Sequence, residues 1–525
     1  MAENGTLKVD RLPIKLIMPK QGKERKNQGG GQPPEPFRPV DTAYRRRLYN
    51  EVTAIRGSVL PQVKHVGTAP VRVKLLIKAI AKSHRPEEIF SYQTCPIIGV
   101  GKPGELFVKA TDQGLLRLAR IIEGSQIQQI VKELSCIEAI EAITPSYRRK
   151  GVESNDILRR SPRVKDGFLT RVKLFDVGSE EDQVRQIKNF EATCQARRIR
   201  ISKEGYSDTS FVYGAECQTV EDIDAMSRVV GVRSIMSMPI IRTAHPNIYN
   251  PGPLPKLLKR EDVIGDVPVV VVVDTGISDK IPELNTWIVG RESQVATPYR
   301  NTDHGTFVAG LICWGNYLNP YIKGIDENPS AIFDLQILPN NDPAKGQIDS
   351  VTEQEFLVSL DEALKQHANE YKVWNLSLST EDVCSLDDFS TFAEELDNLQ
   401  EKYEVSLVIS AGNFSMPPLL DYPRLGTQLE VGRITIPADS ILGITVGSIS
   451  HVDCVKKGPK VNEPSAFSRH GAGPNYIIKP DLVHYGGACF TDGLHVSGIR
   501  SVNGNGTAEK LGTSFSTPLV SRMLA

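Results

Sequence analysis

Five consecutive valines, Val269 to Val273, constrain this chain more than any other stretch. Branching at Cβ stiffens valine and favours extended backbone over helix. The run does not alternate with polar residues, so both faces of the strand it forms must be covered by apolar neighbours. Pro268 stands just before it, where a strand tolerates a missing N–H. Ile332 to Leu338, Val373 to Leu378, Val405 to Ser410 and Gly443 to Ser448 read as four more strands of this kind. Helical patterns separate them: Gly305 to Gly315, Thr352 to Tyr371 opening on a Thr352…Glu355 capping box, and Phe389 to Tyr403. Strands alternating with helices predict a parallel, doubly wound α/β sheet with helices on both faces.

That pattern occupies only 267–525 of a 525-residue chain, so further domains must precede it. Residues 1–66 read as a flexible basic region. Lys20, Lys23, Arg25 and Lys26 precede the turn-rich Gly29 to Pro36, and Arg45-Arg46-Arg47 lies in a short helix, Thr42 to Ile55. From about 70 one pattern appears twice. Val71 to Ile77 and Thr170 to Phe175 share an Arg-Val-Lys-Leu core and read as strands. After each comes a helix-length segment (Ala79 to Phe90; Ser179 to Arg197), then a hairpin (Ile97 to Lys109; Arg198 to Glu216). A second helical segment (Asp112 to Leu134; Val220 to Val230) and a closing strand (Ile137 to Ile143; Arg233 to Ile241) complete each unit. The order β-α-β-β-α-β is the ferredoxin-like arrangement. The expected domains are therefore two tandem ferredoxin-like α+β units, 67–146 and 168–243. A basic linker, 147–167, joins them, and a Pro-rich tether, 244–266, follows them.

Net charge is −1, so no global charge draws the chain to nucleic acid or to a membrane surface. No apolar run approaches a membrane span, and the first residues lack the charged-then-apolar texture of a signal peptide. The eight cysteines are scattered without a CxxC pair. That usage predicts reduced thiols in a cytoplasm rather than a disulfide scaffold or a structural zinc site.

Candidate chemistry lies at predicted strand exits and helix starts, where open sheets of this class keep their sites. Asp274 follows the valine run directly, in Asp274-Thr275-Gly276. His304 heads the small-residue helix of His304-Gly305-Thr306-Phe307-Val308-Ala309-Gly310. Asn413 closes Ser410-Ala411-Gly412-Asn413. Ser514 follows a Gly-Thr turn in Gly512-Thr513-Ser514-Phe515-Ser516-Thr517-Pro518. Each alone reads as a cap, a turn or a core residue. A serine at a helix start, however, sits where unpaired N–H groups and the macrodipole favour negative charge, and an asparagine amide is an oxyanion donor.

Together, in the order Asp, His, Asn, Ser, these segments resemble the subtilisin-like serine proteases, the subtilases. Asn375-Leu376-Ser377-Leu378 is similar to the family's substrate-binding strand, Ser465-Ala466-Phe467-Ser468 to its Ser-Phe-Ser segment and Lys479-Pro480-Asp481 to its Lys-Pro-Asp. The resemblance covers 267–525 and implies a serine endopeptidase acting on protein or peptide substrates. By it, Ser514 is the nucleophile, His304 the general base and acid, and Asp274 the group that holds the imidazole. Asn413 and the Ser514 N–H form the oxyanion hole, and Ser377-Leu378-Ser379 and Ser410-Ala411-Gly412 flank the substrate. The resemblance implies no cofactor beyond the calcium some members bind, for which no residues here are assigned.

Ser379 stands where the family usually has glycine, Leu519 replaces a common histidine, and His451 to Asn462 reads as an added loop. The chain ends soon after Ser514, which reads as a truncated C-terminus. The second ferredoxin-like unit resembles the inhibitory propeptide that precedes many subtilase domains. On that reading 242–262 lie in or near the cleft between Ser377-Leu378-Ser379 and Ser410-Ala411-Gly412, pairing as an added strand, so that the protease is autoinhibited. The doubled unit is similar to large intracellular bacterial subtilases, which implies an AAA-type ATPase as a partner. Two other readings stay open: a catalytically silent peptide-binding scaffold, and RNA binding through the tandem units, whose hairpins lack the aromatic run of RNA-recognition motifs.

Overall fold

The computed structural model describes residues 35–59, 64, 66–243, 247–424, 426–455 and 457–525. The basic stretch 20–26 lies outside them. The valine run is the third strand of a seven-stranded sheet. Its order is Ile288–Ser293, Ala331–Gln336, Val269–Asp274, Val373–Leu376, Ser406–Ser410, Ile444–Ile449 and Leu482–Tyr485. Every neighbouring pair is parallel. Val270 to Val273 are all 0% exposed, as an unbroken apolar run demands. Val270 and Val272 pack towards the helix Asp303–Leu318, while Val271 and Val273 pack towards Glu353–His367 and Thr391–Tyr403. Each fully buried valine contributes about 1.5–3 kcal/mol, so the run binds both helical layers to the sheet. The two strands not expected, Ile288–Ser293 and Leu482–Tyr485, are the sheet edges. Their mixed, partly exposed sequences carry no buried-strand pattern.

The first N-terminal unit is an antiparallel sheet in the order Ile97–Val100, Glu105–Ala110, Ala69–Leu75, Ile137–Ala142. The helix expected over 79–90 does not form; only short 3₁₀ turns occur, at Ile77–Ala79 and Lys82–His84. Arg85 is extended before Pro86, whose ring disfavours helical backbone in the residue preceding it. Helix Thr42–Ser58 packs onto this sheet instead, with Leu48, Val52 and Ile55 in the unit's core. The region read as flexible therefore contains a core element. Arg45 is buried, not solvated, and donates to Ile122 O and Ser125 O at the end of helix Asp112–Gly124. Those are carbonyls that the helix itself leaves unpaired.

In the second unit Gly167–Leu174 pairs with Val212–Cys217 and with Val232–Ser237, and Arg200–Ser202 lies beyond Val212–Cys217. Helices Glu180–Ala196 and Val220–Arg228 pack against this sheet. The segment read as a basic linker is docked rather than loose. Arg148 is 3% exposed and donates to Ser227 O, Val230 O and Val232 O, while Arg149 pairs with Asp224. Ser154–Arg160 is a helix and Arg163–Val164 a short strand.

The second unit does not stand apart. Tyr206, Val212 and Ile241 join the core that lies under helices Glu353–His367 and Thr391–Tyr403. Polar contacts rim that seam. Arg171 pairs with buried Glu353, which also accepts from Tyr206 Oη at 3.1 Å, Lys173 pairs with Glu394, and Arg233 with Asp388 at 3.0 Å.

Candidate active site

Asp274 is the last residue of its strand and is fully buried. Its Oδ1 accepts the N–H of Thr275 at 2.7 Å, and the N–H groups of Ile337 and Leu338 are donated to its carbonyl. The carbonyl bonds fix the strand end, the Thr275 N–H steadies the carboxylate, and the carboxylate faces the start of helix Asp303–Leu318. There His304 Nδ1 lies 2.8 Å from Oδ1 and 2.9 Å from Oδ2. An Nδ1–H shared between two carboxylate oxygens fixes the ring and its tautomer, leaving Nε2 as the basic nitrogen. Among the described residues Nε2 is buried without a partner.

Close backbone approach brings the two residues together. A Cβ on Gly305 would sit 2.4 Å from Gly276 O, and Gly276 itself has φ +87°. Gly305 N–H donates to Thr275 Oγ1 at 3.1 Å, and Ser278 N–H to Thr306 Oγ1 at 2.8 Å, so hydroxyls lace the two loops.

Ser514 is the second residue of the buried helix Thr513–Leu524. Its carbonyl accepts from Ser377 Oγ at 2.9 Å, and Ser521 Oγ on the same helix donates to Asn375 Oδ1. The helix is thus tied to strand Val373–Leu376. Phe515 packs beside His304, ring centres 5.6 Å apart. Asn413 Oδ1 accepts from Thr513 N at 2.9 Å and from Thr513 Oγ1 at 3.2 Å. Those bonds assign the amide orientation and turn Nδ2 away from Thr513, 3.5 Å from where a Cβ on Gly512 would lie. Thr513 belongs to the serine motif, but its role as the anchor of Asn413 appears only in three dimensions.

Ser377-Leu378-Ser379 leaves one strand end and Ser410-Ala411-Gly412 the next, tied by Ser410 Oγ donating to Leu378 O at 3.0 Å. Gly412 has φ +96°, and a Cβ there would lie 2.1 Å from Thr435 Oγ1. Arg242, at the end of the second unit, pairs antiparallel with Ser379. The expectation for 242–262 needs correcting beyond that point. Tyr249–Gly252 is a strand along Gly506–Lys510, not along the cleft strands, and not a plain tether. Leu257 is buried in the core beside Trp287 and Trp314, whose indole N–H groups both donate to Leu258 O at 2.9 Å. Two buried indoles needing an acceptor hold this stretch to the domain.

Two further ionisable groups border the dyad. Asp334 is 4% exposed, accepts Ile277 N–H at 3.2 Å and pairs with Arg291 at 3.1 Å. Burial pushes its carboxyl up to about 7; Arg291 opposes that and Asp274 adds to it. Burial likewise pulls the Lys510 ammonium down to about 8. Neither residue has a sequence signature. All eight cysteines are buried thiols, and among the described residues no cluster of His, Cys, Asp and Glu is arranged to hold a metal.

The family model for the subtilase family matches residues 265–525. The uncharacterized protein y4bN of Sinorhizobium fredii (strain NBRC 101917 / NGR234) is 31% identical over 167 residues, a match covering 25% of this chain and 37% of that relative. A cold adapted subtilisin-like serine proteinase is 22% identical, with a TM-score of 0.31 over 48% of this chain and 72% of its own. Sphericase is 17% identical, with a TM-score of 0.30 over 50% of this chain and 79% of its own. Through residues 265–525, the half that holds Asp274, His304, Asn413 and Ser514, this chain belongs to the subtilase family.

Proposed function

We propose that the chain is a serine endopeptidase, with Ser514 as nucleophile, His304 as base and Asp274 as orienter. The observation that carries this reading is the imidazole itself. His304 Nδ1 is held by both oxygens of Asp274, while among the described residues Nε2 stays buried and unpartnered, and Phe515, next to Ser514, packs on the ring. In this reading Nε2 takes the Ser514 proton as Oγ attacks the scissile carbonyl, then delivers it to the leaving amine. Asp274 stabilises the imidazolium without being protonated. The oxyanion is bound by the Ser514 N–H at the helix start and by Asn413 Nδ2. Ser377-Leu378-Ser379 and Ser410-Ala411-Gly412 hold the acyl half of the substrate.

The N-terminal half is read as two ferredoxin-like units, the second of them propeptide-like and inhibitory. The Arg242–Ser379 pair supports this, because it places this chain's own backbone on a strand assigned to substrate. Seven residues later Tyr249 pairs with Glu509, on the strand leading into Ser514. Ala244 to Pro246 lie outside the described residues, and on this reading the two described anchors let the chain's own backbone compete with substrate.

A fluorophosphonate probe tests the catalytic reading. Labelling at Ser514 that disappears in Ser514→Ala, with the fold retained, supports it. Labelling undiminished in that variant sinks it.

A further inference from the structure

Lys510 closes the strand Gly506–Lys510 and is 4% exposed. Among the described residues its Nζ has no hydrogen-bond or ion-pair partner. It rests on two aromatic rings, 4.8 Å from the centre of Phe307 and 6.0 Å from that of Phe515. The nearby carboxylates are already engaged: Asp274 by His304 at 2.8 Å, and Asp303 by Lys345 at 2.8 Å. Burial lowers the ammonium to about 8, while Asp303 and Asp274 hold it up, so it is still mostly charged at neutral pH. A buried charge without an acceptor is unfavourable, and ring faces offset it only in part. Such groups concentrate where a ligand completes them.

Its position says which half of a substrate would do so. The acyl half is assigned to Ser377-Leu378-Ser379 and Ser410-Ala411-Gly412. Lys510 instead touches Phe307, which lies one turn beyond His304 on the same helix, and Phe515, which packs on the imidazole. His304 hands its proton to the leaving amine, so a group packed on the rings that flank the imidazole is taken to face the leaving half. We propose that Lys510 is a specificity residue receiving a carboxylate on the leaving half of the substrate, from an aspartate or glutamate shortly after the scissile bond. This rests on the peptidase reading and names the class of substrate it would favour. It also accounts for the unpaired state of the lysine.

The test uses the full chain and C-terminally amidated peptides differing only in Glu, Gln or Lys after the scissile bond. Cleavage is read by mass spectrometry against Ser514→Ala. Specificity is the ratio of kcat/KM values, and a charge-assisted contact predicts a Glu/Gln ratio of roughly 10 to 100. In Lys510→Met that ratio should fall to about one, and in Lys510→Glu the Lys peptide should become preferred. Fluorophosphonate labelling of both variants checks that the site still forms. The same peptides with free C-termini separate a side-chain carboxylate from a terminal one: a preference following the terminus rather than the Glu side chain overturns the assignment. So does a Glu/Gln ratio near one in the unaltered chain, or a ratio that survives in Lys510→Met. Those outcomes leave the peptidase reading standing. Absence of both labelling and cleavage overturns the peptidase reading, and this inference with it.

Discussion

Arg242 and Ser379 exchange two backbone hydrogen bonds. The Arg242 N–H donates to Ser379 O at 3.0 Å, and the Ser379 N–H donates to Arg242 O at 3.1 Å. Such a closed pair recognises backbone rather than side chains, so any extended peptide can compete for it. The preceding residues Ile240 and Ile241 pair in turn with Thr352 and Val351. That ladder makes one continuous path from the second unit onto the strand end at Ser377-Leu378-Ser379.

Arg242→Pro deletes one of the two donors without lengthening the segment. One backbone bond is worth about 1 kcal/mol, so access to Ser514 should rise roughly five-fold. The rate of fluorophosphonate labelling measures it. A rate unchanged or slower in the variant would mean that this pairing does not restrain the site.

Asn413→Asp separates the two tasks of that side chain. The acceptor of Thr513 N–H is kept, whereas the donor aimed away from Thr513 is replaced by an oxygen. Loss of one oxyanion donor costs roughly 10²–10³ in rate. Labelling should slow by at least that factor while the melting temperature stays close to that of the unaltered chain. A variant labelling within a few-fold of the parent would remove Asn413 from the oxyanion hole.

The elements best read from sequence are those whose residues have a single physical use. Val269 to Val273 can only be a strand covered on both faces, and Thr352…Glu355 forms the expected capping box. The candidate site was legible for the same reason: Gly276, Gly305 and Gly412 stand where any side chain would collide. What escaped depends on partners distant in sequence. Arg45 reads as part of a flexible basic region and Arg148 as part of a basic linker, yet each is buried and donates to backbone carbonyls distant in sequence. The stretch after Ile248 read as a tether because prolines break regular elements. Its strand and its indole contacts are supplied by residues on the far side of the domain.

Glu353 is 0% exposed and serves both Arg171 and Tyr206 across the seam between the second unit and the sheet domain. Removing one partner of a buried ion pair costs roughly 3–5 kcal/mol, mostly because the other charge is stranded. Glu353→Ala should therefore loosen the seam and speed tryptic cleavage after Arg242. The double replacement Arg171→Met with Glu353→Leu strands no charge and should recover much of the protection. If the single and double variants are cut at the same rate, the charge pair does not hold the seam.

Asp334 supplies a pH dependence whose sign can be worked out in advance. In the folded chain burial keeps its carboxyl protonated up to about 7, against an ordinary value of 3.8. Between those limits the folded state binds more protons than the unfolded state, so stability falls as pH rises from about 4 to 7 and then levels off. The loss is bounded by about 1.4 kcal/mol per pH unit. Asp334→Asn cannot ionise, so its urea midpoint should gain on the parent between about pH 4 and about pH 7. An offset between variant and parent that stays constant over that interval would show that Asp334 is ionised throughout. The same comparison bears on the candidate site. Asp334 holds the Ile277 N–H three residues after Asp274, so ionising it adds negative charge behind the carboxylate that orients His304.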